Sequence, residues 1–490
     1  MYQADERSGA PGTAGVVVVA IVLLVAVIAT RALWWGNPAA TTDEQLYALI
    51  GGSLAQGDLP YVELWDRKPF GLFALFATGE WIAPAPYGFQ ILSGLFTAAG
   101  AAITYRIARS QVDWITATGA ALLYVILISV YGGFSGQSEV FHAPMMLAMA
   151  WLVLDSSAAH YSTRTLAAML IGGLALQVKY TVLPQCLFFG FVALWQLHKH
   201  GFGLPRLAAM AAAFGALGVL STVLVGTLYA GAGHFDAWWF ANFESFFERA
   251  SAGRFLPNVQ IGLLPLAGLG LAGVYLAFRG KPMRDPALYT LMLGWTLAAL
   301  ASVFMPGTVY LYYFGALVAP VILIALPLLD KKGPANAVPL VLAIAGTAWL
   351  LGPLADWKTS REETASLQEL ATKIEPLVGG PQCLWVHDGP TALYSMTGSC
   401  LPTRFIYPDH LNNALENDAA LGASQSGEAL IILADRPPVI VTSARALTQQ
   451  NAQVQEALSE LLETEYEELG RAESGYREVI AYTLKVTETE

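Results

Sequence analysis

Long apolar runs separated by short polar connections set the plan of most of this 490-residue chain. About 20 apolar residues cross the hydrocarbon layer of a bilayer as a helix. On that length the pattern predicts eleven spans, at 14–33, 87–106, 114–132, 139–157, 165–178, 180–197, 207–230, 259–278, 286–304, 310–329 and 336–354. The fifth is short, and Lys179 stands at its boundary with the sixth. The first run lacks a small-x-small cleavage site and is too long for a signal core, so it reads as a retained anchor.

Two longer connections carry patterns of their own. In 34–86, residues 43–56 read as a helix with Thr41 or Thr42 as its cap and Gly57 as its stop. Residues 69–82 are apolar but short, which predicts a helix lying along the interface. In 231–258 the aromatics Phe235, Trp238, Trp239, Phe240, Phe243, Phe246 and Phe247 alternate with charged residues, which predicts an amphipathic helix on the membrane surface. Beyond 356 the pattern changes. Short strands are predicted at 383–387, 404–407 and 477–486, helices at 390–397 and 447–462, and further apolar runs at 429–433 and 439–442. The expected fold is therefore mainly α, a polytopic membrane helical bundle with a C-terminal α/β domain. Its expected parts are a transmembrane domain over 1–355, with external loops 34–86 and 231–258, and a soluble domain over 356–490.

Composition agrees with the pattern and adds one asymmetry. Residues are 55% hydrophobic and only 13% charged, and the mean hydropathy is +0.50. A soluble domain carries about 25% charged residues, so the chain is an integral membrane protein. Of the 37 acids, 21 lie from Asp356 onward, against 9 Lys and Arg there. The net charge of -11 thus belongs to the tail and argues against nucleic acid as a partner. Gly-rich phosphate loops, CxxC pairs and a serine nucleophile elbow are absent from the sequence.

Charge also orients the spans. With the N-terminus inside, the predicted cytoplasmic loops hold Arg106 and Arg109, Arg164, Lys199 and Arg206, Arg279, Lys281 and Arg284, and Lys331 and Lys332. Every inside loop is basic, as the positive-inside rule requires. An odd number of spans puts the acidic tail outside. Arg67, Lys68, Lys179, Arg249 and Arg254 are the external exceptions, which gives them another task to explain. Cys186 lies in an apolar run and reads as a packing residue, while Cys383 and Cys400 lie in the tail, where a disulfide is open if the tail is extracytoplasmic.

The candidate chemistry follows the first span. Asp43 and Glu44 are adjacent carboxylates, one of which could take the proton of an attacking hydroxyl or amine. Adjacent helical residues point about 100° apart, so only one faces a given substrate. Both also suit a helix N-terminus as plain dipole partners. Lys68 and Arg67 could hold a lipid-linked phosphate and stabilise its departure, or simply snorkel. Lys179, Arg249 and Arg254 are weaker candidates of the same kind. Glu139 and His142 open the fourth span on its outer side, where ionisable groups often line a cavity. With Asp66 or His234 they could bind a divalent metal, although the spacing is not diagnostic. Tyr310, Tyr312 and Tyr313 either line a pocket or form part of an aromatic belt.

These residues, in this order, resemble the GT-C membrane glycosyltransferases. The resemblance is nearest to the RgtA/B/C/D-like and protein-mannosyltransferase-like enzymes, which include the aminoarabinose transferase of lipid A. Asp43-Glu44 after the first span and Lys68-Pro69 in the long loop carry it. So do Ala175-Leu176-Gln177-Val178-Lys179-Tyr180, Val309-Tyr310-Leu311-Tyr312-Tyr313-Phe314, Tyr394-Ser395-Met396-Thr397-Gly398 and Arg404-Phe405-Ile406-Tyr407-Pro408. The chain departs from the family's Lys-Pro-Pro with Lys68-Pro69-Phe70, which keeps the charge and alters the loop. The resemblance implies an inverting transfer from a polyprenyl-phosphate sugar to a lipid, glycan or protein acceptor, with Asp43 as base and Lys68 on the phosphate. It implies a bacterial inner-membrane protein with a cytoplasmic N-terminus and a periplasmic tail. A flippase of lipid-linked glycans is the competing class. It should show paired halves and polar breaks near the midplane, whereas the ionisable residues here gather on the outer side. An inactive assembly subunit is a third reading, against which Asp43, Glu44 and Lys68 all stand.

Overall fold

The computed structural model describes residues 12–157, 159–249, 256–279, 283–332, 336–354, 357–475 and 477–485. They form two compact units. The first comprises Met1–Leu33, Ile91–Val225 and Gly253–Ala355. The second gathers Trp34–Gln90, Gly226–Ala252 and Asp356–Glu490.

The first unit is a helical membrane bundle. Every predicted span is met by a helix, and six of the described helices are long and apolar enough to cross a bilayer: Thr13–Arg31, Tyr87–Arg109, Tyr180–Lys199, Leu204–Gly231, Leu256–Phe278 and Pro286–Phe304. Trp114–Val130, Ser138–Leu154, Leu311–Ile324 and Val338–Gly352 are shorter apolar helices, and Tyr161–Leu176 fills the fifth position. Their burial is one-sided. Thr13–Arg31 buries Val19, Leu23 and Val27, one stripe at fourfold spacing, and leaves Val17, Ile21, Leu24 and Ile28 exposed. An exposed aliphatic face is what hydrocarbon would cover, because lipid tails are as apolar as the side chains themselves.

In the second unit, residues Thr42–Gln56 form the predicted helix, ended by Gly57 at φ +109°. It packs on Phe70–Ile82, and Gly51 permits the close approach, since a Cβ there would lie 2.5 Å from that of Phe76. The predicted surface helix of the second loop is instead broken. It runs as Phe235–Trp239, a π-helical turn Phe240–Glu244 and Ser245–Glu248.

The tail is α/β, around a four-stranded sheet of Trp385–Val386 (β1), Val439–Ser443 (β2), Tyr466–Ser474 (β3) and Arg477–Leu484 (β4). The strand order is β1-β2-β4-β3, with β1 parallel to β2 and the other pairs antiparallel. The strand predicted at 404–407 is not there. The Arg404 carbonyl accepts instead from the Trp65 amide at 3.0 Å, so its pairing capacity goes to the first loop. The run 429–433 lies in a helix, Gln425–Ala434, capped by Ser424 and burying Ala429, Ile432 and Leu433. So short an apolar run fits either state, and periodicity cannot separate them. β3 was hidden by its charge, because glutamates and Arg471 occupy its exposed positions.

Trp65, from the first loop, lies 1% exposed in the same core as Trp385, Phe405, Leu411, Ile432 and Ile440. The loop and the tail therefore share one hydrophobic core.

Cys383 and Cys400 are joined as a disulfide that closes a separation of 17 residues. Constraint of the unfolded chain over a loop of that length contributes about 3 kcal/mol. Cys400→Ser is therefore expected to destabilise the second unit by about that amount. Denaturant unfolding of wild type and variant, with and without dithiothreitol, checks it, since reductant should affect only wild type.

Candidate functional site

The Thr42–Gln56 helix is entered through a capping box. Glu44 reaches back and accepts from the Thr41 amide at 3.1 Å, and its side chain is wholly buried. Its neighbour Asp43 is only half buried. One carboxylate oxygen of Asp43 accepts from the Tyr47 hydroxyl at 3.2 Å and the other from the Tyr407 hydroxyl at 3.3 Å. The first contact is the i, i+4 neighbour on the same helix. The second crosses 364 residues of sequence. Both are long for O–H···O bonds, and catalytic bonds without substrate are often long.

Tyr47 joins Asp43 to Lys68. The Lys68 ammonium lies 5.3 Å from the centre of the Tyr47 ring. Its backbone is held twice: its amide donates to Asp66 at 2.8 Å, and its carbonyl accepts from the Tyr61 hydroxyl at 2.8 Å. Asp66 is thus a buried turn residue that shapes the Lys68 loop. A carboxylate and an ammonium are brought against one phenol ring, and each is positioned by backbone or ring contacts from the same unit.

Arg67 faces elsewhere. It donates through Nη1 to Glu416 at 3.0 Å, forms a second bond to the same carboxylate through Nη2, and donates through Nε to Ser245 at 2.7 Å. Arg249 donates to Glu416 at 2.6 Å. The Glu416 side chain is 1% exposed, so two guanidiniums neutralise one buried carboxylate. Two of the external cations singled out by topology are therefore met by an acid of the tail. Arg254 lies outside the described residues. Beside this cluster His410 is packed edge-on to Trp65 at 4.8 Å. Burial and the cations Arg67, Arg249 and Lys68 hold its imidazole well below its usual pKa, so it is neutral.

Acidic groups gather on the other side of Asp43. Burial, with Glu416 and Asp43 nearby, pushes Asp409 up to about 6, although Arg249 opposes the shift. Burial and the carboxylates Asp43, Asp409 and Asp66 push the Tyr407 hydroxyl well above its ordinary value, so it stays protonated and donates to Asp43.

The remaining predicted residues come together in the first unit. Lys179 pairs with Glu139 and sits over the rings of Tyr313 at 4.1 Å and Tyr312 at 5.5 Å. Ser138 donates to the second Glu139 oxygen at 3.0 Å, and His142 is buried one helical turn from Glu139. Arg31, which sequence reasoning passed over as the end of an anchor, is also buried, donating to the Gly133 carbonyl at 2.8 Å and to Thr97. Its signal was available, since an arginine inside an apolar span needs a partner. Among the described residues no three His, Cys, Asp or Glu side chains gather as a metal site.

Glu416, Tyr407 and Asp409 were missed. They lie in a tail without any motif, and only Tyr407 stood in a stretch already singled out.

No family model matches the chain, and no curated relative matches it. Solved structures do. ArnT from Cupriavidus metallidurans bound to undecaprenyl phosphate aligns with a TM-score of 0.60 at 15% identity, over 96% of this chain and 98% of that one. The same protein in its apo state aligns with a TM-score of 0.61 at 15% identity over the same shares, 96% and 98%. The archaeal oligosaccharyltransferase AglB from Archaeoglobus fulgidus, in complex with an inhibitory peptide and a dolichol-phosphate, aligns at 0.48 and 13% identity over 87% of this chain and 69% of that one. The two ArnT alignments establish the fold. It is a polytopic membrane bundle with a C-terminal domain, the fold class that the sequence pattern predicts.

Proposed function

We propose that this GT-C-fold protein is a membrane glycosyltransferase that moves a sugar from a polyprenyl-phosphate carrier to an extracytoplasmic acceptor, with inversion at the anomeric carbon. The observation that carries the reading is the meeting of Asp43 and Lys68 about the Tyr47 ring. The acceptor hydroxyl or amine attacks the anomeric carbon, and Asp43 takes its proton. The bond from that carbon to the phosphate oxygen breaks, and the electron pair leaves with the phosphate. Lys68 meets the charge that develops there.

The geometry ranks the other candidates. Glu44 serves as the helix cap that fixes the direction of Asp43. Arg67 and Arg249 brace the Lys68 loop through Glu416. Lys179, in the first unit, is held by Glu139 and two tyrosine rings. The fold's likeness to ArnT bound to undecaprenyl phosphate supports a polyprenyl-phosphate donor. The disulfide supports placing the tail on the oxidising side of a bacterial inner membrane. In this reading residues 1–355 are the membrane domain and 356–490 the periplasmic one.

Comparative mass spectrometry of glycolipids, surface polysaccharide and envelope proteins tests the reading in a deletion strain. One sugar should be missing from one acceptor class and return with the wild-type gene. Loss of a whole surface glycan, with accumulation of the complete lipid-linked glycan on the cytoplasmic side, would indicate a flippase instead.

A further inference from the structure

A cleft in the second unit begins one residue from Asp43. Thr42 lines its rim, and Gln45, Asp388, Thr391, Tyr407, Asp409 and Arg477 line its walls. We propose that this cleft is a subsite for a neutral sugar of the acceptor, placed so that one of its hydroxyls reaches Asp43. The proposal rests on the transferase reading and extends it from reaction class to the chemistry of the acceptor.

Position comes first. Tyr407 is shared, since its ring lines the cleft and its hydroxyl donates to Asp43 at 3.3 Å. The cleft has a volume of about 20 Å³, room for a hydroxyl rather than a ring, so a sugar seated over its mouth would insert one hydroxyl and hold another beside the base.

The lining fits a sugar better than an anion. Asp388 and Asp409 are carboxylates, Asp43 adds a third next door, and the Arg477 guanidinium is already turned to Asp388 at 2.9 and 3.1 Å. A phosphate would meet net negative charge. Sugar hydroxyls both give and accept hydrogen bonds, and a wall of carboxylates, guanidinium and hydroxyls offers the matching set. The Asp388–Arg477 pair is well buried, at 8% and 10% side-chain exposure, and Ser443 donates to Asp388 at 2.6 Å, so these walls are held in place before any ligand arrives. Asp409, pushed up to about 6, can serve as donor or acceptor near neutral pH.

Thr391 gives the independent sign of a ligand. It is 2% exposed, lines the cleft, and its hydroxyl has no hydrogen-bond partner among the described residues. A buried hydroxyl left unpaired is costly, and such groups are rare in folded proteins. A hydroxyl of a bound sugar would satisfy it.

The test uses the full-length protein in lipid nanodiscs. Saturation-transfer NMR is run with the methyl glycosides of glucose, galactose and mannose at millimolar concentration, and transfer is assayed with labelled polyprenyl-phosphate sugar. At least one glycoside should receive saturation in wild type. Thr391→Val, which removes only the unpaired hydroxyl, should weaken that glycoside's binding and raise the acceptor KM about fivefold, the effect of one hydrogen bond. Its donor KM and thermal midpoint should not fall. Asp409→Ala is the second probe and should weaken the same glycoside, while Asp43→Asn should still bind it. Saturation of none of the three glycosides, or binding and acceptor KM unchanged in both Thr391→Val and Asp409→Ala, would overturn the subsite. Glycoside binding that both variants weaken, in a protein with no transfer activity, would uphold the subsite and sink the transferase reading alone.

Discussion

Asp43→Asn is expected to lower the rate of sugar transfer by about a thousandfold, within the range that general-base catalysis supplies. The substitution keeps the shape of the side chain and removes its ability to take a proton. Asp43 is half buried at the start of a capped helix, and the cap belongs to Glu44 and Thr41, so the fold should survive the change. One of the two tyrosine donors loses its oxygen acceptor, at a cost of about 1 to 3 kcal/mol. Purified variant and wild type are compared with a labelled polyprenyl-phosphate sugar, with kcat and the donor KM read separately. A loss confined to kcat identifies a group acting in the transition state. Full activity in the variant would remove Asp43 from the chemistry and with it the proposed mechanism.

Glu416→Gln has the largest expected effect on stability. The carboxylate is almost completely buried between Arg67 and Arg249, with an Arg67 side chain only 14% exposed. Removing one member of a buried ion pair leaves an uncompensated charge and costs about 3 kcal/mol or more. The second guanidinium adds to that cost, although Arg249 at 31% exposure regains part of its hydration. The thermal midpoint of the purified protein should fall by several degrees at both low and high salt, because buried pairs are screened little. The double variant Arg67→Gln with Glu416→Gln should recover part of the loss, and the coupling energy of the cycle measures the pair directly. Additive losses would show that the pair contributes nothing of its own. A donor KM unchanged in Glu416→Gln would agree with Arg67 acting as a brace, while a lowered one would return Arg67 and Arg249 to the list of phosphate ligands.

The two variants divide the cluster by what the sequence could say of each residue. Asp43 and Lys68 were singled out because a carboxylate and a cation followed an apolar span, and the structure brings them to one tyrosine ring. Arg67 was singled out by the same topology argument, and there the inference stopped short. An external cation needs a reason, but the rule cannot tell a phosphate from a glutamate 349 residues away. The place of Glu44 at a helix N-terminus was legible as an alternative, because helix starts are local patterns, while its bond to the Thr41 amide came from the structure. The missing strand at 404–407 failed for the opposite reason, since the partner of Arg404 is Trp65, in a segment no local pattern connects to it.

By itself, the sequence determined the membrane bundle, the positions of its apolar helices, the acidic α/β tail, the helix over 43–56 and the chemical types offered after the first span. Each of these is set by interactions within a few turns or strands of chain, or by the match of a run's length to bilayer thickness, and both leave a period or a length in the sequence. Tertiary structure alone decided that Trp65 belongs to the core of the tail, that Arg67 and Arg249 close on Glu416, and that Tyr407 and the Asp388–Arg477 cleft stand beside Asp43. Those contacts join residues hundreds of positions apart. Their energies depend on burial and on distances of a few ångströms, and neither quantity is written in the spacing of residues along a chain.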